Sequence, residues 1–95
     1  MAKRFTSEHL YKIRNNVPLC YLLPNVLQHP CKLSEGYVRF LCFECGEFNS
    51  AIHSENNLGR CFACKKNFNS IDFVMNIKNL SFPKAVYFLN KHLFE

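Results

Sequence analysis

The sequence has no long apolar run. Its longest stretch without a charged residue, residues 15–31, is interrupted by three prolines and contains Asn, Gln and His. A membrane-spanning helix needs about 20 consecutive and mostly apolar residues, so no membrane span is expected. The first residues, Met1–Arg4, are followed by the polar segment Thr6–His9, whereas a secretory signal would have an apolar segment there. We therefore expect a cytoplasmic protein without a membrane partner.

Glycine and acidic residues are also few. The three glycines, Gly36, Gly46 and Gly59, are widely spaced, so they form no loop that could cradle phosphates. The seven acidic residues include no paired carboxylates placed for catalysis, and no Ser/His/Asp set is evident. A chain of 95 residues is too short for a barrel or a complete nucleotide-binding sheet. We expect one domain that is not an enzyme.

Basic residues outnumber acidic ones. Twelve Lys and Arg against seven Asp and Glu give a formal charge of +5 and a pI of about 9.0. This balance permits nucleic-acid binding without requiring it. With 48% apolar and 20% charged residues the chain is globular in composition, but a core of this size is marginal without additional stabilisation.

The spacing of apolar residues and turn formers predicts helices at both ends of the chain. A first helix is expected over residues 7–15, capped by Thr6 or Ser7, and a second helical turn over 19–23, ended by Pro24. The last third predicts a helix over 70–77 and another one capped by Ser81. Their inward faces would be formed by Ile71, Val74, Met75, Ala85, Phe88, Leu89 and Leu93.

The middle of the chain predicts β-structure. One hairpin is expected with strands 31–33 and 37–41 around a turn at Ser34–Gly36. A second one is expected with strands 50–54 and 58–62 around the two-residue turn Asn56–Asn57, with positive φ. The expected class is therefore α+β, a small ribbon flanked by N-terminal and C-terminal helices.

The strongest signal is a pair of C-x2-C motifs, Cys42–Cys45 and Cys61–Cys64, separated by 15 residues. At a β-turn this spacing forms a zinc knuckle, which directs two sulfurs at one ion, and two knuckles complete a tetrahedron. We therefore expect one structural Zn²⁺ held by Cys42, Cys45, Cys61 and Cys64. The metal would supply folding free energy that the small core lacks.

Other interpretations of the cysteines are weaker. Disulfides would need an oxidising compartment, and two C-x2-C motifs at ribbon spacing argue against a redox motif. An iron–sulfur cluster remains an alternative. Cys20 and Cys31 lie outside the pattern and are expected to be free thiols, and His53 is not needed as a ligand because four cysteines close the shell.

Several motifs resemble the zinc-binding domain of bacterial and phage replicative primases. The resemblance rests on Cys61–Cys64, Asn69–Met75, Leu80–Phe82 and Ala85–Val86. In that family the ligands are usually Cys, His, Cys and Cys, whereas this chain has Cys45 as its second ligand. Some phage relatives use four cysteines. The family also has glycine after the second knuckle, where this chain has Lys65 and Lys66.

The resemblance implies a fold and a function. It implies one primase-type zinc domain over residues 1–95, with an N-terminal helical segment (1–36), a zinc ribbon (37–68) and C-terminal helices (69–95). Such a domain binds single-stranded DNA template and assists a separate catalytic primase or polymerase in primer synthesis, and a helicase is a further expected partner. As an isolated domain or small subunit, the chain would suit a plasmid, phage or integrative element.

The expected DNA-contacting residues are cations and aromatic side chains near the metal end of the ribbon, because single strands are bound by positive grooves and stacking rings. The candidates are Arg39, Arg60, Lys65, Lys66, Phe43 and Phe62. The alternative is a protein-interaction subunit that docks a polymerase or helicase with little DNA contact. Exposure of Met75, Phe82 and Phe88 would favour that alternative.

Overall fold

The structure is a computed structural model that describes residues 5–92. The helices are α1 (Ser7–Asn15), α2 (Leu19–Tyr21), α3 (Ser70–Ile77) and α4 (Phe82–Asn90), and a π-helical turn (Leu22–Val26) follows α2. The strands are β1 (Cys31–Ser34), β2 (Tyr37–Phe40), β3 (Ser50–His53), β4 (Leu58–Cys61) and β5 (Lys66–Phe68). The predicted α+β class, with a ribbon between N-terminal and C-terminal helices, is confirmed.

Helix α1 begins where the sequence predicts. Thr6 has an extended backbone and its Oγ1 accepts a hydrogen bond from the N–H of His9 at 3.0 Å, so it satisfies a backbone donor that the first helical turn leaves free. Ile13 is the residue of α1 that is fully buried. The helix therefore contributes one apolar face to the core and exposes the rest of its surface.

The second helical segment continues through Pro24, so the prediction that Pro24 ends it is wrong. The N–H of Leu27 donates to the carbonyl of Leu22 at 2.9 Å, and the N–H of His29 donates to the carbonyl of Leu23 at 2.8 Å. In an α-helix, a proline clashes with the carbonyl four residues earlier and leaves it without a donor. The wider turn avoids the clash and provides other backbone donors. Leu22 and Leu23 are both fully buried.

The first hairpin forms where predicted, but Ser34 belongs to the strand and the turn has two residues instead of three. Strands β1 and β2 are antiparallel, with Lys32 opposite Arg39 and Ser34 opposite Tyr37. The two turn residues, Glu35 and Gly36, have φ values of 53° and 81°. Two successive positive φ values are typical of the tight turn that matches strand twist.

The second sheet differs from the prediction in two ways. Strands β3 and β4 pair from Ser50–Cys61 to His53–Leu58, so four residues connect them. Of these, Asn57 has a positive φ of 53°, whereas Asn56 does not, and the predicted two-residue turn is wrong. A third strand, β5, pairs with β4 on the other side; it was not predicted, because three residues directly after a knuckle carry no periodic pattern.

Asn57 connects this turn to the N-terminal helices. Its Oδ1 accepts from the N–H of Leu19 at 2.8 Å, and its Nδ2 donates to the carbonyls of Arg14 and Val17 at 2.7 and 2.8 Å. Asn57 is 7% exposed, so a single amide satisfies two buried backbone groups and one that is part-buried. The N-terminal segment is thereby anchored to the ribbon.

The C-terminal helices form close to their predicted positions. Asn69 and Asp72 cap α3 reciprocally, each side chain accepting from the backbone of the other. Ser81 occupies the predicted N-cap position of α4 and has an extended backbone there. Its side chain, however, makes no capping hydrogen bond. The predicted face residue Leu93 lies outside the described residues.

The apolar core joins all of these elements. Phe40 of β2 and Phe73 of α3 are fully buried and meet edge to face, with ring centroids 5.0 Å apart. Gly59 of β4 lies against both rings, and an added Cβ would come within 2.8 Å of Phe73 and 2.9 Å of Phe40. Within residues 5–92, no helix is long and apolar enough to cross a membrane.

Candidate metal centre

Each C-x2-C motif forms a tight backbone knuckle. In the first, the N–H of Glu44 donates to Sγ of Cys42 at 3.4 Å, and the N–H of Gly46 donates to the carbonyl of Cys42 at 2.9 Å. Backbone donors directed at a sulfur stabilise the thiolate and orient it.

The second knuckle repeats this geometry. The N–H of Cys64 donates to Sγ of Cys61 at 3.4 Å, and the N–H of Lys65 donates to the carbonyl of Cys61 at 2.7 Å. The residue that follows each motif, Gly46 or Lys65, has a positive φ, 73° or 59°. Both motifs therefore use the same left-handed turn to direct two sulfurs to one side.

The four sulfurs meet at one point. They all lie within 4.8 Å of one another; Sγ of Cys42 is 3.8 Å from Sγ of Cys64, and Sγ of Cys45 is 3.7 Å from Sγ of Cys61. Ligands at the usual Zn–S distance of about 2.3 Å from the centre of a tetrahedron are about 3.8 Å apart. The cluster is thus positioned to bind a single Zn²⁺, and the cofactor prediction is confirmed.

The donor set fits a structural role. Four thiolates occupy every position of a tetrahedral zinc, which leaves none for water or substrate. Cys20, Cys31 and His53 are not part of the sulfur group found in residues 5–92. Burial, followed by the nearby Cys20, raises the pKa of the Cys31 thiol to about 11, as expected for a free thiol that stays protonated.

The thiols of the cluster perturb one another when no cation is bound. Desolvation and the neighbouring thiols raise the pKa of Cys64 to about 12. Desolvation also raises the pKa of Cys61, but the N–H of Cys64 and the thiols that donate to its sulfur outweigh this and lower the pKa to about 7. Since the ligands must be deprotonated, zinc binding releases protons.

An ion pair connects the two knuckles outside the sulfur cluster. Nζ of Lys66 lies 2.9 Å from Oε1 of Glu44, and the hydrogen bond and charge of Glu44 raise the pKa of Lys66. Sequence reasoning missed this pair, although an acidic residue inside one knuckle and a basic residue just after the other could have indicated it. Both side chains are exposed, so the pair contributes little to stability.

The two candidate stacking rings differ in their surroundings. Phe43 is half-buried, and its ring centroid lies 4.6 Å from that of Phe68 and 5.6 Å from that of Phe73. It therefore packs as part of the aromatic core beneath the metal centre. Phe62, in contrast, is 50% exposed between the two cysteines of the second knuckle.

The four candidate cations also differ. Arg39 pairs with Glu35 at 3.4 Å and donates to the carbonyl of Ser50. Arg60 donates a 3.3 Å hydrogen bond to Oδ1 of Asn67, which lies opposite it on β5. Lys65 is exposed and makes no ion pair within residues 5–92.

Fold and sulfur geometry together define a small α+β zinc ribbon with a closed four-cysteine centre. Residues 49–94 match the family model of the CHC2 zinc finger, the DnaG-type zinc ribbon, which confirms the predicted resemblance to primase zinc-binding domains. In primases this ribbon is a non-catalytic module. No curated protein matches the chain.

The match covers only one of the two knuckles. It includes Cys61 and Cys64 but begins after Cys42 and Cys45. The first half of the metal centre is therefore assigned by the structure, which brings its sulfurs to those of the matched segment. Cys45, at the position where the resemblance implies a histidine in most family members, completes the group of four sulfurs.

Proposed function

We propose that this chain binds single-stranded DNA template and assists a separate catalytic primase or polymerase in primer synthesis during DNA replication. The match of residues 49–94 to the DnaG-type zinc ribbon carries this proposal. The four-sulfur centre supports it, because a closed site leaves the metal with a structural role and places any function on the protein surface.

The proposed DNA-contacting surface is formed first by Arg60, Phe62 and Lys65. Lys65 and Phe62 are exposed beside the metal centre, and Arg60 projects from β4 on the face opposite the core, where its cross-strand neighbour is Asn67. Two cations beside an exposed ring provide the phosphate contact and the stacking platform that single-strand binding uses.

Arg39, Lys66 and Phe43 are weaker members of the proposed surface. A phosphate would have to displace Glu35 from Arg39 and Glu44 from Lys66, although both pairs are exposed and easily exchanged. The ring of Phe43 packs against Phe68, so it is less available for stacking.

Binding of a labelled single-stranded oligonucleotide, followed by fluorescence anisotropy from low to moderate salt, tests the proposal. We expect the affinity to fall steeply with salt, and Lys65→Ala to reduce the slope of log affinity against log salt by about 0.7, the value for one phosphate contact on a single strand. Lys84→Ala is the matched control, because Lys84 is an exposed cation on α4, outside the ribbon that holds the cysteines. Absence of salt-sensitive binding would overturn the proposal.

A second candidate function is docking of a catalytic partner. Phe82 and Tyr87 of α4 are 40% and 46% exposed and both contact the ring of Phe5, at 6.2 and 5.7 Å between centroids. This exposed aromatic group favours protein contact, whereas Met75 and Phe88 are only half-exposed. Suppose that DNA binding is seen only when a polymerase or helicase is added. If Tyr87→Ser then abolishes the binding that the partner brings about, docking is the main role.

We further propose that residues 1–95 act as one domain without a catalytic site of its own, in the cytoplasm. A single cluster of buried residues from Ile13 to Leu89 supports the first point. Zinc-bound thiolates support the location, because a reducing compartment keeps cysteines available to the metal.

A further inference from the structure

A small cavity lies at the end of the β3–β4 hairpin that is away from Cys61. Its volume is about 280 Å³, and its lining includes Tyr11 and Arg14 of α1, Asn56 of the turn, Leu58 of β4 and Asn69, the cap of α3. Pockets for drug-sized ligands typically have volumes of about 300 to 1,000 Å³, so this one suits a single nucleotide unit.

An exposed ring forms one wall of the cavity. Tyr11 is 62% exposed and makes no ring contact with any other residue of the described range. A tyrosine that contributes little to the core presents a flat apolar face with a polar tip. Such a face is suited to stacking a planar ligand.

Three polar side chains of the cavity have unused hydrogen-bonding capacity, whereas the amides of Asn15 and Asn57, which also line it, bond to the backbone. Arg14 is half-buried and makes no ion pair within residues 5–92, and the amide of Asn56 makes no hydrogen bond there. Asn69 uses its Oδ1 for the helix cap, and its Nδ2 makes no hydrogen bond to the described part of the chain. An amide offers a donor and an acceptor together, which is the pattern that the edge of a nucleobase presents.

The cavity also has a favourable charge. Among the described residues that line it, Arg14 is the single charged group and none is acidic. A larger groove beside the first hairpin contains Arg39 and Lys32 but also Glu35 and Glu47, so its charges cancel. An anionic ligand with a planar part therefore fits the Tyr11 cavity better.

We propose that this cavity binds one base of a single-stranded DNA, with the ring of Tyr11 stacked on the base, Asn56 at its edge and Arg14 at its phosphate. The proposal rests on the proposed function and adds a second contact region to it, because the cavity and the metal centre lie at opposite ends of the hairpin. Stacking explains why an exposed ring, an unpaired cation and free amides occur together.

Tyr11→Trp provides a direct test, because the natural chain contains no Trp. The zinc-loaded variant is titrated with a labelled single-stranded 8-mer, and with an abasic oligonucleotide of the same length that keeps the phosphates. We expect the base-containing strand to quench the fluorescence of the introduced tryptophan and the abasic strand to leave it nearly unchanged. Tyr87→Trp is the control, because Tyr87 is comparably exposed at 46% but lies on α4, and its fluorescence should respond to neither strand.

Two substitutions complete the test. Tyr11→Leu should weaken binding about tenfold without changing the salt slope, because it removes stacking and no charge. Asn56→Ala should weaken binding of the base-containing strand and not of the abasic one. Anisotropy that shows binding without quenching, together with unchanged affinity of Tyr11→Leu, would overturn this proposal and leave the proposed function intact. Anisotropy that shows no binding at all would overturn both.

Discussion

The two knuckles have the same backbone turn but different surroundings. The first lies in the loop between β2 and β3; its first cysteine, Cys42, is buried as Cys61 is, whereas its second, Cys45, is exposed and the equivalent Cys64 is half-buried. The second lies between β4 and β5, and Cys61 is fully buried and paired with Ser50 and Lys66 across the sheet. The first knuckle is thus held by the metal, by the packing of Phe43 in the core and by the Lys66–Glu44 pair, whereas the second also belongs to a sheet.

The residue after each motif reflects this difference. The first knuckle has Gly46 at a φ of 73°, where glycine is unstrained, and the second has Lys65 at a φ of 59°. An ordinary side chain in this left-handed region costs about 1 to 2 kcal/mol. A knuckle that is part of a sheet tolerates this cost because the strand pairing on both sides also holds the turn closed.

Zinc removal has the largest expected effect. Structural zinc contributes on the order of 10 kcal/mol in small zinc domains, which is comparable to the whole folding free energy of a domain. Chelator titration followed by circular dichroism should show loss of the ribbon, and removal of the metal should affect the first knuckle before the second. Residue-resolved amide exchange can measure that order.

Single-ligand variants sharpen the same comparison. Cys61→Ser should lower stability more than Cys45→Ser, because it leaves a buried polar group within the sheet in addition to the lost thiolate. Cys20→Ser, outside the cluster and exposed, should be nearly neutral. Equal losses from Cys61→Ser and Cys45→Ser would show that the sheet gives the second knuckle no additional support.

Gly59→Ala tests the packing behind the second knuckle. Its Cβ would lie 2.8 Å from Cζ of Phe73 and 2.9 Å from Cε1 of Phe40, so we expect a loss of about 1 to 3 kcal/mol by overpacking. Urea denaturation of the zinc-loaded protein measures it. Adding Phe73→Leu to Gly59→Ala should recover part of the loss. If the stability changes of the two single variants simply add in the double variant, the predicted clash between the new Cβ and Phe73 is contradicted.

Gly46→Ala tests the turn of the first knuckle. A Cβ there meets nothing within 4 Å, so the expected loss of about 1 kcal/mol comes only from the left-handed backbone. The control is Gly36→Ala, because Gly36 has a similar positive φ of 81° in the turn of the first hairpin, at the opposite end of β2 from Cys42. Both variants should lose stability, but only Gly46→Ala should also weaken zinc binding in a competition assay with a chelator.

Lys65→Gly has the smallest expected effect, and unlike the preceding variants it should increase the free energy of unfolding. It relieves the strained φ of 59° and should raise stability by about 0.5 to 1 kcal/mol after the larger unfolded-state entropy of glycine is included. Lys65→Asn is the control, because Asn tolerates this conformation and also lacks the charge. A destabilised Lys65→Gly would mean that the lysine side chain stabilises the knuckle by a contact of its own.

Local patterns were sufficient to predict most of the fold. Thr6, one of the two predicted caps, begins α1; α3 spans the predicted residues 70–77; and the first hairpin turns within the predicted Ser34–Gly36 segment. Each of these features depends on residues within one turn of the chain, so residue type and spacing are enough to indicate it. The four metal ligands belong to the same class, since each pair is defined by a C-x2-C spacing.

Features that depend on distant residues could not be predicted. Strand β5 exists because the second knuckle reverses the chain and returns Phe68 beside Gly59. The π-helical turn at Pro24 is retained because Leu22 and Leu23 are buried beneath it. Asn57, predicted as a turn residue, binds three backbone groups that are about 40 residues away in the chain.

By itself, the sequence determined the metal, its four ligands and the resemblance to a primase-type ribbon, because thiolate spacing and local helix signals are short-range properties. Only the tertiary structure decided which cations and rings remain free: Lys66 is paired, Phe43 packs in the core, and Tyr11 and Arg14 line a cavity. The physical reason is that pairing and burial depend on what the fold brings together, and a binding surface consists of the groups that the fold leaves without partners.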